Sequence, residues 1–71
     1  MNRGEVLEHL QAVAIEWVWV AQWAQESRRI LEDKNVDEEK LLEKIQAAME
    51  VSWNASSRLV AASNAITRGS L

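Results

Sequence analysis

Glu16 interrupts the apolar run AVAIEWVWVAQWA, residues 12–24, in which Gln22 is the one other polar break. A carboxylate removed from water must find a partner or keep its proton. Candidate partners lie in SWNASSR, residues 52–58: Asn54, and one helical turn further Arg58, whose planar guanidinium suits carboxylates and phosphates alike. Four tryptophans accompany them, and they are the only aromatic residues. Trp17, Trp53, Asn54, Arg58 and Glu16 could together wall a pocket for a planar, nucleotide-like ligand, with indoles stacking on a base and the arginine pairing with a phosphate. The plainer use of these groups is structural. A Glu16 contact to Arg58 or Asn54 would fix the register of two helices, and tryptophan at helical spacing commonly serves as core or interface anchor.

No catalytic residue is assigned. The chain has no Gly-rich phosphate loop, nucleophile elbow or paired-carboxylate site. Glu5 and His9 stand one turn apart with Glu8 beside them, but there is no Glu-x-x-His pair and no cysteine, so neither metal nor cofactor is expected. Arg28 and Arg29, followed by Glu32 and Asp33, read as a solvated face with ion pairs along the helix. A formal charge of −3 argues against a nucleic-acid binder. No stretch approaches the roughly 20 apolar residues of a membrane span, and MNRGEVLEHL lacks the apolar centre of a secretory signal. The expectation is a non-enzymatic cytoplasmic protein without nucleic-acid or membrane partners.

Positioning these residues falls to helices. The chain of 71 residues has no Pro, and its two Gly, at 4 and 69, lie near the ends. The one strong break is Asp33-Lys34-Asn35-Val36, after which Asn35 (with Glu38 at capping-box spacing) and Asp37 compete as caps. Helix 1 is expected over about 5–33, a turn over about 34–36 and helix 2 over about 37–68, forming one antiparallel hairpin domain over 1–71. If the turn centres near Asn35, residue i stands opposite residue 70 minus i. Trp17 is then expected near Trp53.

The apolar columns predict which faces pair. In helix 1 the seam toward its partner reads Val6, Leu10, Val13, Trp17, Val20, Ala24, Ser27, Leu31; in helix 2 it reads Leu42, Ile45, Met49, Ser52, Ser56, Leu59, Ser63, Ile66. Beside the latter runs a seven-residue series of mostly small side chains, Leu41, Ala48, Ala55 and Ala62. A second apolar seam, Ile15, Trp19, Trp23 and Ile30, would remain on the far side of helix 1. So small a chain without disulfides is marginal alone, and this second seam is the expected subunit interface. The fold class is therefore all-α, a hairpin that self-associates into a four-helix bundle or a higher closed oligomer.

Two functions follow as expectations. One is a homo-oligomeric protein-interaction module, an adaptor, inhibitor or assembly subunit, with a protein partner besides itself. The other is a binder or sequesterer of a nucleotide-like small molecule, similar in architecture to phage-type sponge proteins.

Overall fold

The computed structural model describes residues 2–69. Two α-helices of equal length, α1 (Arg3–Glu32) and α2 (Glu38–Thr67), lie antiparallel and form a rod of 53 × 13 × 12 Å. Helix α1 begins two residues earlier than the sequence suggests, because the Asn2 side chain accepts a hydrogen bond from the Glu5 amide at 2.9 Å and so caps the first turn. Of the two candidate caps for α2, Asp37 prevails: its Oδ1 accepts from the Lys40 amide at 3.0 Å. Glu38 and Glu39 then occupy the positive end of the helix dipole. At the far end Gly69, at φ 67°, takes the left-handed conformation, and its amide bonds the Ile66 carbonyl at 3.1 Å.

The expected level is observed. Glu26 and Lys44 meet at 3.0 Å across the hairpin, and Val6 clusters with Ala62 and Ala65 near the open end. The expected rotation is not. Buried and half-buried residues recur in α1 at Val6, His9, Val13, Glu16, Val20, Trp23, Ser27 and Ile30, and in α2 at Leu41, Lys44, Ala48, Val51, Ala55, Arg58, Ala62 and Ala65. Each helix is turned by one column, so 9, 16, 23 and 30 replace 10, 17, 24 and 31. The physical reason lies in α2. Its small column, Ala48, Ala55 and Ala62, lets the backbones approach closely, and it leaves three long polar side chains, Glu16, Lys44 and Arg58, able to reach partners across the seam.

This seam is thin. The buried apolar residues are Val6, Val13, Ala55, Ala62 and Ala65, and no large side chain is fully buried among the described residues. Buried with them is Ser27, whose hydroxyl donates to the Trp23 carbonyl of its own helix at 2.8 Å. Three alanines and two valines remove little apolar surface from water.

Candidate functional site

Within the seam, Glu16 and Arg58 come together as the sequence suggested. Arg58 Nε stands 2.9 Å from Glu16 Oε1, a charge-to-charge contact without good hydrogen-bond alignment. The Glu16 side chain is 18% exposed and that of Arg58 40%. Arg58 Nη1 also donates to His9 Nδ1 at 3.4 Å, a long bond. One arginine therefore ties two positions of α1, two turns apart, to α2. The ion pair has its charge balanced within the hairpin and belongs to the seam.

The remaining members of the expected pocket diverge. Asn54 is exposed on one side of α2. Trp53, 77% exposed, lies on the outer edge of α2 in the same column as Val60. Trp17 faces a different groove, shared with Ile45, Met49 and Ser52. Trp17 and Trp53 stand at the same height along the rod, but their side chains leave it in different directions. The five residues thus form no common pocket in the hairpin, and a nucleotide-like ligand finds no wall of stacked indoles beside Arg58.

The expected second seam is also split, by the same rotation. Trp23 and Ile30 are half-buried in the seam between α1 and α2. Ile15 and Trp19 remain outside, at 61% and 48% exposure. Trp19 still touches Trp23, with ring centroids 5.9 Å apart and planes inclined at 32°. This contact carries the seam's apolar surface out toward one flank.

What the rotation exposes is a flank that includes the columns of Leu10 and Trp17 in α1 and of Leu42 and Ile45 in α2, expected inside from the sequence. Columns 7, 14, 21, 28 and 10, 17, 24, 31 of α1 adjoin columns 42, 49, 56, 63 and 45, 52, 59, 66 of α2. They present Leu7, Leu10, Trp17, Leu31, Leu42, Ile45, Met49, Leu59 and Ile66, all at least 40% exposed, with alanines and serines between them. Between Leu7 and Leu31 and between Leu42 and Ile66 the single charged side chain on this flank is Arg28, whose Nε lies 3.7 Å from Glu32 one turn on; Arg3 and Glu38 stand on the same columns at the first turns of the two helices. Along its middle runs a groove of ≈ 550 Å³, floored by Val20, Ser27 and Ala48.

The opposite flank has another chemistry. It carries Glu5, Glu8, Glu26 and Arg29 from α1 and Lys40, Glu43 and Glu50 from α2 around the Ile15 and Trp19 island. The Lys44 ammonium beside Glu26 holds that carboxyl below the usual carboxylate range, with smaller help from Gln22 and Arg29 and against the opposing effect of partial burial. Among the described residues no group of His, Cys, Asp and Glu could hold a metal ion, and no helix is long and apolar enough to cross a membrane.

Compared with known proteins, the chain matches no family model, no curated protein and no solved structure.

Proposed function

We propose that this chain is a non-enzymatic interaction module that works as a homo-oligomer, its apolar flank packed against another copy so that two hairpins make a four-helix bundle. The observation that carries this is the flank itself. A continuous run of large apolar side chains from Leu7 to Leu31 and from Leu42 to Ile66, broken by one charge, is more than soluble monomers ordinarily leave open. Surface area supports it independently. A compact monomer of 8.1 kDa exposes about 4,500 Å², whereas the hairpin exposes 5539 Å². The excess, about 1,000 Å², resembles the roughly 800 Å² each partner loses in a stable complex.

The interface is accordingly assigned to the flank of Leu10, Trp17, Ile45 and Leu59 in place of Ile15, Trp19, Trp23 and Ile30. Ile15 and Trp19 are then left for a different protein partner, as a small apolar island ringed by charge, the pattern of a modest docking site. Sedimentation equilibrium at micromolar concentration tests the assembly. A mass of two or more chains that falls to one on Trp17→Glu is the expected result; a folded, wild-type monomer would overturn the proposal.

A further inference from the structure

Given that self-association, we infer that the second copy lies with its turn at the same end of the bundle, α1 of each chain resting on α2 of the other. A face-to-face pair of rods has two limiting two-fold arrangements, one with the axis along the rod and turns together, the other with the axis across it and turns opposed. Side-chain volume separates them. With turns together, every residue meets the partner's residues of its own height, and through the middle of the flank one helix is large where the other is small. Trp17 stands at the height of Ser52, Met49 at that of Ala21, and Ile45 at that of Ala24. These three bulky side chains then enter gaps on the facing helix, the condition for interior packing density.

With turns opposed, the match at the centre is lost. Trp17 is at the middle of α1 and Ser52 at the middle of α2, so this axis lays indole against indole and serine against serine. It also lays Arg28 against Leu7 of the partner. With turns together, Arg28 instead comes beside the partner's Leu42, three residues from Glu39, an acid on the adjoining column of that helix. Shape at the middle of the flank and the setting of Arg28 therefore favour the same axis.

The chain has no cysteine, so single spin labels are simple to introduce at Asn35→Cys in the turn and, separately, at Arg3→Cys at the open end. Pulsed electron resonance on the assembled dimer should give an interspin distance of about 20–25 Å for both variants, about two interhelical spacings. Turns opposed would put both near the rod's own length of 53 Å. A long distance at either site overturns the shared orientation, while sedimentation on the same samples reports separately whether the dimer exists. A labelled protein that sediments as a monomer, with the wild type also monomeric, removes the self-association on which the orientation rests.

Discussion

The two flanks of the hairpin are built from the same two helices at the same heights, yet one holds a single charge between its end turns and the other is bordered by charges along most of its length. Both carry tryptophan. On the apolar flank Trp17 lies in a continuous groove with aliphatic neighbours from both helices, whereas on the other Trp19 leans on Trp23 and shares its flank with Glu5, Glu8, Glu26 and Arg29. Exposure does not tell them apart, since the two indoles are 43% and 48% exposed. Their surroundings do. A large apolar side chain contributes most to association where its neighbours are also apolar and can be dried together.

The contrast breaks first, and by most, through paired tryptophan truncations. Trp17→Ala should weaken association by 2 kcal/mol or more, about 30-fold. Trp19→Ala should change it by well under 1 kcal/mol. Concentration-dependent sedimentation of the two variants checks this, and equal effects would mean that the flanks are not functionally distinct. Next comes the seam that separates them. Arg58→Ala leaves Glu16 without its cation and should cost about 1–2 kcal/mol in urea unfolding, a figure reduced because Arg58 is itself partly exposed. Replacing both Glu16 and Arg58 by Leu should recover most of that loss, since it removes the stranded charge. Asp37→Ala, which touches neither flank, should cost about 1 kcal/mol through loss of the α2 cap, with no change in oligomer mass at concentrations where the protein is folded.

The smallest effect belongs to the charged flank and sharpens its description. Because Lys44 lowers the pKa of Glu26 in the folded state, the pair stabilises the fold above the ordinary carboxylate value of 4.5, and that contribution disappears as pH falls through the lowered folded value. Unfolding midpoints of the wild type and Glu26→Gln should therefore differ at pH 7 and converge on acidification toward pH 3. A constant gap across that range would show that the pair does not act through its charge.

Much of this was legible in the sequence. The break at residues 33–37, the two helices, the height at which they pair and the meeting of Glu16 with Arg58 all follow from capping, spacing and the cost of an unpaired carboxylate. The rotation about the helix axes was not legible, for a definite reason. Columns 9, 16, 23, 30 and 10, 17, 24, 31 differ by one residue, about 100° of turn, and the second contains Leu10, Trp17 and Leu31 where the first contains His9 and Glu16. Apolarity marks what must be covered without marking whether the same chain or another copy covers it. The more apolar column was placed inside the hairpin, and the alanine column of α2, which sets how closely the helices approach, was placed beside the seam instead of in it. The candidate ligand residues are parted within the hairpin for the same reason: equal height brings Trp17 and Trp53 level, and direction separates them.

Ser52 gives the flank a property that composition conceals. Ser52 sits in the groove, and its hydroxyl donates to the Met49 carbonyl of its own helix at 3.2 Å, just as Ser27 donates to Trp23 and Ser57 to Trp53 at 3.1 Å. A hydroxyl already bonded to its own backbone has little hydration to surrender when a surface closes over it. Ser52 thus presents to an approaching indole the bulk of an alanine with a modest dehydration cost, so the flank can remain polar enough to stay dispersed in water and still dry out when a second surface arrives.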